Sequence, residues 1–268
     1  MREEFLLDRR DLLIRGGKTF AAALSLAALG GASRGGLLHT LSSMGRSDFG
    51  FAPHLEREAV QALTVTAAQT CTLTCGLTLG PCYAASAALV RRDITSGVTG
   101  LPMRLGFRII YADTCQPVTN ATVDVWHTNA SGIYSAETSQ VCTGGTSTAS
   151  QNYCRGVQAT DADGRVYFDS VFPGWYSSRT THIHVTIRVG STEYVTSQFT
   201  FADRVSDFIY RKHTLYNTRS LRTTNNTNDS VFTSLAQAQR FMFDTRYKVG
   251  QLHAFKTIAI SSSSQCSG

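Results

Sequence analysis

From Leu101 onward, apolar and polar residues alternate with a period of two, the spacing of a strand with one face buried. "MRLGFRIIYAD" (103–113) is rich in strand formers and is punctuated by the turn-like "TCQPVTNA". "ATVDVWHTN" sets Val123, Val125 and His127 against Thr122, Asp124 and Trp126. "GVQATDADGRVYFDSVF" predicts two strands around an Asp-Ala-Asp-Gly turn at 161–164. "THIHVTIRVG" and "EYVTSQFTF" predict two more around Gly190 and Ser191. Beyond Phe201 the pattern loosens into the polar "LRTTNNTNDSVF", and "GQLHAFKTIAISS" (250–262) reads as a closing strand. Short strands with frequent turns predict an all-β sandwich or barrel.

The N-terminal part has a different texture. Arg9 and Arg10 precede an apolar, small-residue run from Phe20 to Leu29, then small residues near Gly31 to Ser33. That is the layout of an export signal, and the paired arginines suggest the twin-arginine route. The apolar run is too short to span a bilayer. "HLEREAVQALTVTAAQTC" (54–71) carries an imperfect helical spacing and predicts a short helix. The expected division is a signal segment 1–33, an extension 34–75 and a β-sandwich domain 76–268.

Hydrophobic residues make up 42% of the chain and charged ones 16%, which excludes a disordered polymer. The net charge of +6 is spread along the chain and leans on the N-terminus, so nucleic acid is not an expected partner. Seven cysteines suit an exported protein with disulfides, and an odd count leaves at least one unpaired. "CTLTC" has no second pair at zinc-ribbon spacing, so a structural zinc is not expected. Cys142 and Cys154 bracket a Gly/Ser/Thr-rich loop that they could staple.

The chemistry concentrates in "FPGWYSSRTTHIHV" (172–185). His182 and His184 point the same way on an extended backbone. No Asp or Glu lies between Asp169 and Glu193, so the pair lacks the neighbouring carboxylate of a two-histidine, one-carboxylate iron site. Tyr176 lies beside it instead, and Tyr134 follows the strand ending near Trp126. A phenol has a pKa of about 10 and becomes a good ligand only beside a strongly charged cation. Two phenolates and two imidazoles favour Fe(III) over Zn(II). Trp126 reads as core, His127 as a satisfied histidine rather than a fifth ligand, and Asp161 and Asp163 as turn formers.

"DVWHTNASGIYS", "RGVQATDADGRVYFDSVFPGWYSSRTTHIHV" and "GPCY" followed by "LVRRDITSG" resemble the intradiol ring-cleavage dioxygenases, in their exported, protocatechuate-dioxygenase-like branch. The likeness covers roughly residues 76–201. It implies a non-haem Fe(III) enzyme that opens catechols between their two hydroxyls with O2, giving muconate-type diacids. It further implies Tyr134, Tyr176, His182 and His184 as iron ligands, with Tyr134 permanent and Tyr176 leaving when substrate binds. Arg179 would lie beside the substrate ring, Gln198 just outside the ligands, and Tyr83 near the pocket. Leu79 and Cys82 depart from the family pattern, where an acid and an aromatic are common. The fold expected is a β-sandwich of short, mostly antiparallel strands with long loops and a small N-terminal helical segment. The partners expected are an aromatic diol and O2, with no membrane span and room for a homo-oligomer. Three rival readings remain: an exported binding module with a non-catalytic metal site, a zinc or copper enzyme built on the two histidines, and a disulfide-stabilised envelope protein.

Overall fold

The computed structural model of the chain describes residues 71–85, 89–263 and 266. The expected signal segment and the short helix expected from His54 lie outside them. Among the described residues eight strands form two four-stranded sheets. The first has the order β4-β1-β8-β7, from β1 (Pro102–Tyr111), β4 (Arg165–Val171), β7 (Asp244–Lys248) and β8 (Gln251–Ile260). The second has the order β3-β2-β5-β6, from β2 (Thr122–Trp126), β3 (Arg155–Ala159), β5 (His182–Val189) and β6 (Thr192–Thr200). All pairings are antiparallel except β1 with β8. Of the sandwich or barrel expected from the alternation, the sandwich is the fold observed.

The alternation decides which side chains meet between the sheets. Met103, Leu105, Phe107 and Ile109 of β1 join Val123 and Val125 of β2, Ile183, Val185 and Ile187 of β5, and Phe199 of β6 in one core. Phe107, Phe199, Phe241 and Phe243 cross as tilted rings 5.8–6.3 Å apart. Asp161 behaves as the sequence suggests: its Oδ1 accepts the backbone N–H groups of Asp163 and Arg165 and closes the β3–β4 turn.

Among the described residues three helices join the strands: α1 (Gln140–Thr143), α2 (Asp203–Lys212) and α3 (Leu235–Arg240). None of them is expected from the pattern of apolar and polar residues. In α2, Val205, Phe208 and Ile209 have helical spacing, but over one short stretch. Its N-cap, Ala202, has no side chain to announce a start.

The disulfides are Cys71–Cys115, Cys75–Cys266 and Cys82–Cys142. The staple suggested between Cys142 and Cys154 does not form. Cys142 turns across the site to Cys82, and Cys154 is the free cysteine, buried beside β3. Burial pushes its thiol up to about 12, so it stays protonated and inert.

Candidate metal centre

The second sheet carries the chemistry on the face turned away from the core. Cross-strand pairing lines up Arg155 on β3, Trp126 on β2, His184 on β5 and Gln198 on β6 in one row. His182 lies two residues before His184 on the same face, because Ile183 between them points into the core. Loops cover this face, so His182 and His184 are both buried. Gly80 approaches so closely that an added Cβ would lie 3.1 Å from His184 Cε1. The Trp126 indole stacks on His184, with ring centres 4.8 Å apart, and Tyr83 meets Trp126 edge-on at 4.7 Å. Trp126 is therefore buried, as expected, but in the wall of the site. Tyr83 donates its hydroxyl to Asp124 at 3.0 Å and packs against the cluster of Cys82, Trp126, Tyr134 and Cys142.

Two loops deliver the tyrosines. The loop after β2 and the loop after β4 are joined by Gly174 N–H to Asn129 O, 2.8 Å, and Thr128 Oγ1 to Gly174 O, 2.7 Å. The close approach requires glycine on both sides. A Cβ on Gly174 would lie 2.2 Å from Ala130 O, and one on Gly132 2.1 Å from Trp175 O. The contact explains the glycine before "WY" and sets Tyr134 and Tyr176 5.8 Å apart, ring centre to ring centre.

The four expected ligands converge. His182 Nε2 lies 3.1 Å from His184 Nε2, 3.2 Å from Tyr176 Oη and 3.4 Å from Tyr134 Oη. His182 Nδ1 contacts Thr180 O at 2.6 Å, which turns the other ring nitrogen toward the cluster. Among the described residues no group of three or more His, Cys, Asp or Glu gathers, so the donors here are two imidazoles and two phenols. Burial raises the pKa of Tyr134, helped by neighbouring Tyr176, and burial also raises that of Tyr176. Burial holds both histidines well below their usual value, with Arg179 adding to the effect on His182 and chiefly His182 on His184. The chain by itself thus holds four neutral donors in a desolvated place. A trivalent cation reverses that balance for the phenols, and two phenolates offset most of its charge, so the donor set fits ferric iron.

Arg179 lies beside the cluster. Its Nη2 donates to Gln198 Oε1 and its Nε to Asp229 Oδ2 at 3.0 Å. Gln198 also donates to Thr78 O at 2.6 Å. The positive charge of Arg179 favours the phenolate of both tyrosines. Asp229 was missed in the sequence, where it looks like one more polar residue in a loop; only its burial marks it out.

His127 is satisfied, as expected, but fully buried: Nε2 contacts Ser170 Oγ and Nδ1 contacts Thr128 O, both at 2.8 Å. Burial, chiefly, lowers its pKa from 6.5 to about 4. An unfolded chain takes this proton as the pH falls through 6.5; the folded chain refuses it until about 4. Stability is therefore present above pH 6.5 and is lost on acidification, by about 2 kcal/mol at pH 5 from this group alone. His182 and His184 act in the same direction in iron-free protein. Urea midpoints at pH 7 and pH 5 check this: the slope should shrink in His127→Gln, and equal slopes would refute it.

The family model described as Dioxygenase matches residues 79–219. The chain belongs to the intradiol ring-cleavage dioxygenases. An intradiol ring-cleavage dioxygenase from Tetranychus urticae is 25% identical, with 73% of this chain and 97% of that one covered and a TM-score of 0.63. The dioxygenase domain of a dioxygenase carbohydrate-binding protein fusion from Streptomyces sp. SirexAA-E is 21% identical, with 71% and 99% covered and a TM-score of 0.53; it bears on the fold alone. No curated protein matches the chain. Membership makes this an intradiol dioxygenase and supports cleavage of catechol-type rings.

Proposed function

We propose that this intradiol dioxygenase binds non-haem Fe(III) through Tyr134, Tyr176, His182 and His184 and cleaves an aromatic diol between its hydroxyls, with O2, to a muconate-type diacid. The convergence of two phenol oxygens and two imidazole nitrogens, with no carboxylate or thiolate among them, carries the reading. Ferric iron supplies Lewis acidity toward the diol oxygens and the redox partnership that O2 insertion needs.

The chain's own residues divide the remaining work. Tyr134, fully buried, has its backbone N–H fixed to Cys142 O at 2.9 Å and the Arg155 guanidinium 5.9 Å from its ring centre. It is suited to remain in place. Tyr176 is only partly buried and leads into the exposed Ser177 and Ser178, so it can swing. Its Oη is the natural acceptor for one proton of the diol. Arg179 stabilises negative charge on the substrate ring in a partly dry site, and Gln198 holds the guanidinium there.

Three disulfides suit an oxidising compartment. No helix of the described residues is long and apolar enough to cross a membrane. With the paired arginines near the N-terminus, these features support export.

A visible spectrum of the purified protein, before and after anaerobic catechol, tests the proposal. The expected result is a broad red-to-burgundy phenolate band that shifts to longer wavelength with catechol. Iron-replete but colourless protein would refute the ligand set. A coloured protein with no oxygen uptake on any catechol would favour the binding-module reading.

A further inference from the structure

We propose that Asp229 is a positioning residue: it aims Arg179 at the substrate and locks the backbone that orients His182. The inference rests on the function proposed above. Asp229 lies ten residues past the end of the matched family region, on the loop between α2 and α3.

The carboxylate is fully committed. Oδ1 accepts the backbone N–H groups of Val231 at 2.8 Å and Phe232 at 3.1 Å, which fixes the side chain to its own loop. Oδ2 accepts Thr180 N–H at 2.6 Å and Arg179 Nε at 3.0 Å. Its side chain has no exposed surface, and that of Arg179 is 12% exposed, so water screens the pair little. An arginine otherwise has wide rotamer freedom. Here Asp229 fixes one edge of the guanidinium and Gln198 another, and that orients its plane.

The second arm runs through Thr180. Its N–H is held by Asp229, and its hydroxyl donates to Asn226 Oδ1 at 2.9 Å and accepts from Arg222 Nη1 at 3.2 Å. Arg222 is paired with Asp203 and Asp207 of α2. The Thr180 carbonyl then meets His182 Nδ1. The segment beyond β6 thus acts as an outer brace on the strand that carries both histidines. A carboxylate needed only to close its own loop would have no reason to bind Arg179.

The test uses iron-loaded full-length protein in a cycle of Asp229→Asn, Arg179→Met and the double variant. Anaerobic catechol dissociation constants come from the band shift; kcat and KM, iron content and melting temperature are read beside them. Asp229→Asn is expected to weaken catechol binding about 10-fold or more, the range for partners one bond beyond a site. Loss of the Thr180 arm should lower iron content in both backgrounds, whereas the catechol constant of the iron-loaded fraction should change by less than about twofold when Arg179 is already Met. A change below about threefold, or an equal loss in the Arg179→Met background, overturns the proposal. Should Asp229→Asn not fold, Asp229→Glu keeps the charge and moves it by one methylene; unchanged catechol affinity in that variant is equally decisive against it. A wild type without iron or colour refutes the function itself, whereas a coloured wild type with an indifferent Asp229→Asn refutes only the positioning role.

Discussion

Tyr134→Phe is expected to yield a folded protein that does not hold iron and does not turn over catechol. The lost atom is a buried oxygen 3.4 Å from His182 Nε2. Tyr134 lies in a wall formed with Cys82, Trp126 and Cys142, and among the described residues no carboxylate joins the two histidines to replace it. Removing partners one bond beyond a metal ligand already costs 10–100-fold, so deleting the ligand should exceed about 100-fold in iron affinity and in kcat/KM. Tyr176→Phe should differ in kind. Tyr176 is partly exposed, and three donors remain, so iron should stay with a weaker, shifted band while turnover falls. Iron stoichiometry and the visible spectrum separate the two. Full iron and an unchanged band in Tyr134→Phe would refute the ligand assignment.

The second large effect concerns Cys82–Cys142. This bridge closes 60 residues. Chain entropy alone gives such a loop about 4 kcal/mol, and observed values run from about 2 to 4. For a domain of this size each kcal/mol shifts the melting temperature by about 2–4 °C. The bridge also holds the site. On one side the segment 80–83 presses Gly80 against His184, offers Cys82 O to Arg155 at 2.8 Å, and sets Tyr83 on Trp126. On the other side Cys142 O accepts the Tyr134 N–H. Replacing both cysteines by serine should therefore lower the melting temperature and also weaken iron retention and the phenolate band. The bridge between Cys71 and Cys115 closes 44 residues and is a control. Its removal should cost similar stability and leave the band unchanged. If both double variants affect the band alike, Cys82–Cys142 has no special tie to the site.

Much of this was legible beforehand because a strand's period is local. The alternation of Ile183 and Val185 with His182 and His184 says that the histidines share a face, whatever the rest of the chain does. The Asp161 turn was legible for the same reason. The helices were harder. A ten-residue helix such as α2 shows fewer than three turns of pattern, and no side chain caps its start. Cys82–Cys142 was illegible because pairing depends on where two loops lie, and Cys154, nearer in sequence to Cys142, was the plausible wrong partner. Asp229 was illegible because a buried carboxylate and a solvated one are the same letter.

The sequence by itself determined the sheet-forming segments other than β7, the shared face of His182 and His184, and the donor types that suit ferric iron, since each follows from side-chain chemistry or from a period-two backbone. Only the tertiary structure decided that β8 inserts beside β1, that Cys82 reaches Cys142, and that Gln198 on β6 and Asp229 on the loop before α3 grip Arg179 together. Those relations join residues far apart in the chain. They exist only when the loops are packed and water is excluded, and no local pattern of residues records that.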